Sequence, residues 1–311
     1  MFCRSILSVF ARSPSYLHQS VTPQSLTSPV TSLFHTSSFN QSALATLRKN
    51  TGYSLSICKK ALSENNNDVD AAQKWLKDQA QAQGWAKAQK LQGRNTSQGL
   101  LGVLIKSQTA AMVEVNCETD FVARNQQFVS LLRQVAESCV ANSEVKSEED
   151  LSKSVLTQEA VASSASVEAG KSIGDLVALN IGQIGENIAL GQARMFSAGD
   201  GVKLAAQCHP TVAGSGDHQD FFCGRYAAVL AYSVSGSGSF SEDVTEEVFI
   251  KQLCQHIVGM GPTALDNEDD KENSLLHQAF LLDEEKKVSE VLESSGVKII
   301  DFVRAEVGRS D

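Results

Sequence analysis

The feature that most limits the fold is a change of apolar period across "VNCETDFVARNQQF", Val115 to Phe128. Ahead of it, "GLLGVLIKS" (Gly99–Ser107) and "AAMVEVN" (Ala110–Asn116) read as paired strands joined by a polar turn. In the second strand Ala111, Val113 and Val115 share one face. Behind it, Phe128, Leu131, Leu132, Val135, Ala136 and Cys139 take helical spacing and form one buried stripe. A chain with this switch packs a helix on a sheet. At the joint stands Thr119-Asp120-Phe121-Val122. Phe121 lies seven residues before Phe128, so a continuous helix puts both on the core face. Yet Arg124-Asn125-Gln126-Gln127 offers no apolar residue where the stripe should continue. Spacing alone leaves core residue and partner contact equally open.

The pattern recurs. "YAAVLAYSVS" (Tyr226–Ser235) reads as a strand, a Gly/Ser turn follows, and Phe249, Ile250, Leu253 and Ile257 form a helical stripe. A duplicated α+β core is expected, antiparallel sheets with packed helices, with subdomains at 98–198 and 199–311. The second joint, "SGSGSFSEDVTEE", has no Asp-Phe pair. The stretch from Asn142 to Ala169 reads as an exposed helix or a mobile connection, and Ala205–Gly224 matches no pattern. Ahead of the core, residues 43–93 read as three short helices with buried faces at Leu44 and Leu47, at Leu55, Cys58 and Leu62, and at Val69, Ala72 and Leu76. Thr51-Gly52 and Asn65-Asn66-Asn67-Asp68 separate the helices, with Asp68 as an N-cap, and "KAQKLQGRNTSQG" (Lys87–Gly99) reads as a linker.

The first acidic residue is Glu64, and the opening segment is Ser-rich with Arg4 and Arg12. Residues 1–42 are therefore expected to be a mitochondrial transit peptide without fixed structure, which places the chain in the matrix. A net charge of −9 excludes general electrostatic binding to nucleic acid. No apolar run approaches the roughly 20 residues needed to span a bilayer. The seven cysteines include no C-x-x-C pair, so zinc-site spacing is absent and buried free thiols are expected. Phosphate-cradling, metalloprotease and nucleophile-elbow motifs are absent too. "GSGDHQD" (Gly214–Asp220) has the composition of a polar loop, and Cys208-His209 is one adjacent pair. The chain reads as a binding protein without cofactor or metal, not an enzyme. A thiol-dependent enzyme requires one cysteine with a depressed pKa.

Four stretches in order resemble the elongation factor Ts family of nucleotide exchange factors. They are "LRKNTGYSLSICKKALSENNNDVDAAQKWL" (Leu47–Leu76), "VEVNCETDFVARNQQF" (Val113–Phe128), "IGENIALGQARMF" (Ile184–Phe196) and "GVKIIDFVRAEVG" (Gly296–Gly308). The resemblance implies a ubiquitin-associated-like three-helix module ahead of the core. It implies mitochondrial elongation factor Tu as partner, with Asp120 and Phe121 inserted near the magnesium side of its nucleotide site. Thr119 would cap the turn that carries them, and Val122 completes the family's Thr-Asp-Phe-Val signature. Arg48, Leu55, Ser56 and Lys59 match partner-contacting positions of the module. His256 and the strand Tyr226–Val229 fall in the half that resembles the part touching other regions of the partner. Two departures stand out. Gly191-Gln192 interrupt a segment that usually runs into consecutive arginines, leaving Arg194. Only Thr263–Ser274 occupies the place of a dimerising helical hairpin, so a one-to-one complex is expected. The rival reading is an adaptor that binds ubiquitin through the loop Thr51-Gly52-Tyr53-Ser54.

Overall fold

The computed structural model describes residues 37–51, 55–143, 150–212, 220–235, 240 and 244–309. The transit-peptide expectation for 1–36, the loop residues 52–54 and most of Gly214–Asp220 lie outside the described residues. The chain forms two compact units, Met1–Val69 and Asp70–Asp311.

In the first unit, α1 (Ser37–Thr51) and α2 (Leu55–Glu64) pack against each other. Their buried residues are Leu47, Cys58, Ala61 and Leu62, while Leu55, counted above on the buried face, is 46% exposed. Thr51 Oγ1 donates to Leu47 O at 2.6 Å and ties off the last turn of α1. That helix starts at Ser37, ahead of the expected boundary at 43. After α2 the chain turns through left-handed Asn66 and Asn67, a conformation that asparagine tolerates.

The second unit opens with α3 (Val69–Leu91), which is 23 residues long and not a short helix followed by a linker. It continues through Lys87–Leu91, and Leu91 is buried in the first core. Its second half crosses a later helix, α7 (Ile173–Ile184), at Gly84. A Cβ added there would come within 2.3 Å of the Ala178 carbonyl oxygen. Ala80, Gly84 and Ala88 repeat every fourth residue, so small size rather than hydrophobicity marks this contact face.

The expected hairpin of β1 (Gln98–Lys106) and β2 (Thr109–Cys117) forms, with Leu100 opposite Val115 and Leu104 opposite Ala111. The chain continues through α4 (Asp120–Ala123) and α5 (Gln126–Ala141) to β3 (Leu151–Leu156), α6 (Gln158–Ser163), α7 (Ile173–Ile184) and β4 (Ile188–Ala198). β3 corrects the reading of 142–169 as a helix or mobile connection: it is an edge strand paired with β4. The second half supplies β5 (Lys203–His209), β6 (Phe221–Gly224), β7 (Tyr226–Val234), α8 (Glu246–Met260), β8 (Ala279–Phe280), β9 (Asp283–Lys287), α9 (Val288–Ser295) and β10 (Val297–Glu306).

The larger sheet has the order β3-β4-β2-β1-β6 and the smaller β10-β7-β5. The duplication is visible in this topology. Central β2 lies between β1 and β4 and leads into α5; central β7 lies between β5 and β10 and leads into α8. Among the described strands, one pairing crosses the division at 198/199: β6 pairs with β1 in the first sheet. Of the unplaced segment 205–224, residues 205–209 belong to β5, and Phe221–Gly224 form the β6 that makes this crossing.

Each of these two sheets is apolar on both faces, while β8 and β9 pair separately as a two-stranded sheet. Val113, Val115, Phe128, Leu132 and Ile173 join the first sheet to α5 and α7. Leu101, Val103, Met112 and Phe196 meet Ala206, Ala227, Val229 and Ala305 between the sheets. Leu230, Leu253, Ile257 and Leu292 join the second sheet to α8 and α9. The layers run helix, sheet, sheet, helix, so the fold is α+β as expected. The departure at Gly191-Gln192 has a structural role. Pairing steps from Val113–Ala193 to Val115–Leu190, leaving one extra residue in β4. A Cβ at Gly191 would come within 2.8 Å of the Glu114 Cβ, so glycine is required at the bulge.

Candidate functional site

The end of β2 delivers the chain at Cys117 to a single helical turn, α4. Thr119 has extended backbone (φ −125°, ψ 153°), and its Oγ1 accepts from the Val122 N–H at 3.4 Å. It is the cap expected from the sequence. Val122 and Ala123 face the core at 8% and 6% exposure, whereas Phe121 is 83% exposed. Asp120 is likewise exposed and pairs with Arg124 at 3.3 Å. An exposed i,i+4 pair contributes little to stability and leaves the Asp120 carboxylate accessible.

The seven-residue spacing misleads because no helix is continuous across it. Arg124 ends α4, and Asn125 returns to extended backbone and caps α5 by accepting from Gln127 N at 2.9 Å. Phe128 starts in the new phase and is fully buried. The two phenylalanines therefore have opposite environments.

The joint is held from outside by the turn before β4. The Glu186 carboxylate accepts from Thr119 N at 3.1 Å and from Thr119 Oγ1 at 2.9 Å. In return Glu118 Oε1 accepts from Asn187 N at 2.7 Å. Arg94 pairs with Glu118 at 3.4 Å, and its carbonyl accepts from Asn187 Nδ2 at 3.1 Å. Beneath the turn, buried Cys117 donates its S–H to Thr119 O at 3.2 Å. Burial, with the nearby Glu186 charge, pushes this thiol up to about 12. Glu118, Glu186 and Asn187 were not singled out by sequence reasoning. The available signal was that Glu118 lies within the quoted "VEVNCETDFVARNQQF" and Glu186 and Asn187 within "IGENIALGQARMF".

In the first unit, Arg48, Leu55, Ser56 and Lys59 are all exposed, and Ile57 is 42% exposed beside them. His256 requires correction as a partner contact because it is fully buried. Its Nδ1 accepts from Leu281 N at 3.1 Å, so the proton is on Nε2, which donates to Gln278 Oε1 at 3.0 Å. Its ring stacks on Phe280, and burial lowers its pKa. Ala227, Ala228 and Val229 are also buried, leaving Tyr226 as the partly accessible residue of that strand segment. The polar residue at 256 belongs to the core.

All six described cysteines are free and buried. Burial raises Cys139 to about 11 and Cys254 to about 12, the opposite of what an activated nucleophile needs. Among the described residues, Asp266, Glu268 and His277 are the group whose side chains can converge on a metal ion. Glu268 is paired with Lys271, and His277 with Asp266. No described helix is long and apolar enough to cross a membrane.

A family model described as elongation factor Ts, mitochondrial, N-terminal matches residues 30–86, and one described as elongation factor TS matches 118–270. A protein of Aedes aegypti named mitochondrial elongation factor Ts is 41% identical over 277 residues, covering 86% of this chain and 88% of the relative. One of the same name from Drosophila melanogaster is 41% identical over 279 residues, 86% and 85% of the two chains. The Homo sapiens protein of that name is 35% identical over 283 residues, 88% and 85% of the two.

Proposed function

The chain belongs to the elongation factor Ts family, and from that premise we propose that it acts in mitochondrial translation elongation as a guanine nucleotide exchange factor for elongation factor Tu. The observation that carries the reading is the exposure of Phe121 on a capped turn (83%), pinned at Thr119 by Glu186. A large apolar side chain held in water by a rigid backbone is matched to a partner's pocket.

The mechanism is differential binding without bond-making chemistry. A P-loop GTPase holds its nucleotide through backbone amides at the phosphates and a magnesium ion. Phe121 enters beside that magnesium and phosphate region and displaces the groups that hold the ion. Asp120 adds polar contacts that fix its entry. Whatever free energy the factor removes from nucleotide binding, nucleotide removes from factor binding. Burying one phenylalanine supplies about 1.5–3 kcal/mol, and each tenfold weakening requires about 1.4 kcal/mol. Phe121 thus accounts for one or two decades, and the rest comes from a wider interface. Arg48, Leu55, Ser56 and Lys59, all exposed, are the proposed contribution of the ubiquitin-associated-like module.

The complex is proposed to be one-to-one, since the mostly polar Thr263–Ser274 is too short for a dimerising hairpin. The test is release of labelled GDP from mitochondrial elongation factor Tu with and without this protein. The reading expects faster release at catalytic amounts, and an unchanged rate overturns it.

A further inference from the structure

Glu186 lies outside the Thr-Asp-Phe-Val turn, yet its carboxylate takes both polar hydrogens that Thr119 offers. It accepts from the backbone N–H at 3.1 Å and from the hydroxyl at 2.9 Å. The consequence is directional. A threonine hydroxyl has one proton and two lone pairs. With the proton committed to Glu186, a lone pair remains for Val122 N, and that bond closes the cap of α4. Glu186 therefore sets the rotation of the group that caps the turn beneath Phe121.

Glu186 is itself fixed. It follows Gly185, the left-handed cap of α7 (φ 95°), and precedes β4. The adjacent pair locks the same junction in the opposite sense, with Asn187 N donating to Glu118. Two short segments, Glu118-Thr119 and Glu186-Asn187, clasp each other across 67 residues of sequence. α4 is only four residues long, too short to hold its own geometry.

We propose that Glu186 is a positioning residue for exchange: through Thr119 it pre-orients Phe121 for the partner. This rests on the exchange reading of Phe121. Preorganised side chains lose less freedom on docking, so release of the clasp weakens productive docking. Loss of a side-chain cap typically corresponds to about a fivefold change in an equilibrium.

Two measurements on the full chain test it. In the first, amide hydrogen exchange at Val122 is followed in wild type and Glu186→Ala. Exchange about fivefold faster is expected, and an unchanged rate overturns the clasp whatever the partner does. In the second, GDP release is titrated with wild type, Glu186→Ala, Glu186→Gln, Phe121→Ala and the Glu186→Ala/Phe121→Ala pair. Glu186→Ala is expected to need about fivefold more protein for half-maximal stimulation. Glu186→Gln, which keeps an acceptor oxygen and the side chain's shape, recovers part of that loss and serves if the alanine variant does not fold. With alanine at 121, the change at 186 is expected to have no further effect. An equal loss in both backgrounds, or wild-type stimulation by Glu186→Ala, overturns the proposal. If Phe121→Ala stimulates like wild type, the exchange reading of Phe121 fails instead, and Val122 exchange still decides whether the clasp orders the turn.

Discussion

Both halves of the core lead from a central strand into a packed helix, and each places a phenylalanine on the way. In the first half Phe121 stands 83% exposed. In the second, Phe240 is half-buried against the core, its ring centroid 6.1 Å from that of Phe249. The same topology thus uses an aromatic in opposite senses, one exposed and one packed on the core. The first joint is a capped turn clasped by Glu186. In the second half, Thr245 caps α8 by accepting from Val248 N. A residue that is to meet a partner must be held by something other than its own burial, and the first joint supplies that hold through hydrogen bonds.

The sharpest way to break this comparison is to exchange buried for exposed. Phe128→Ala removes a fully buried ring from the first core and is expected to destabilise by about 3–5 kcal/mol in denaturant titrations. Phe240→Ala removes a half-buried ring and should cost about 1–2 kcal/mol by the same method. If it cost nothing, the inward use of the second aromatic would be wrong. Thr119→Val keeps the shape but loses the cap, so a local loss of about 1 kcal/mol is expected at Val122 by hydrogen exchange.

The smallest effect concerns His256, the polar residue turned inward in the second half. Its folded-state pKa is depressed by burial, so the native state resists a proton that the unfolded chain accepts. Above its ordinary value of 6.5 both states are neutral and pH changes nothing through this group. As pH falls below 6.5, stability is lost. His256→Gln removes that component, so its stability deficit relative to wild type should narrow between neutral and acid pH. A constant deficit would contradict the assignment.

Where apolar spacing was strong, the fold was legible from the residues alone. β1, β2 and α5 lie where alternation and the helical stripe put them. β3 was not legible, because Leu151–Leu156 is an edge strand carrying Ser152, Lys153 and Ser154 and offers little apolar contrast. The second half of α3 was missed because its contact face is made of small residues. Of the candidate site, the Thr119 cap and the accessibility of Asp120 and Phe121 followed from the family stretch, while periodicity left Phe121 undecided. His256 was misplaced because its contact role followed from the family resemblance alone, although its spacing from Phe249 and Leu253 puts it on the buried stripe of α8. Glu186 was missed because its bonds to Thr119 exist only once β4 has paired with β2.

The most direct measurement is the rate of GDP release from mitochondrial elongation factor Tu driven by Phe121→Ala, taken beside its melting temperature. An exposed side chain contributes little to the fold, so melting should match wild type while stimulation falls by about 10- to 100-fold. Wild-type stimulation by the folded variant would contradict the account. So would a loss of stimulation that appeared only with a lowered melting temperature.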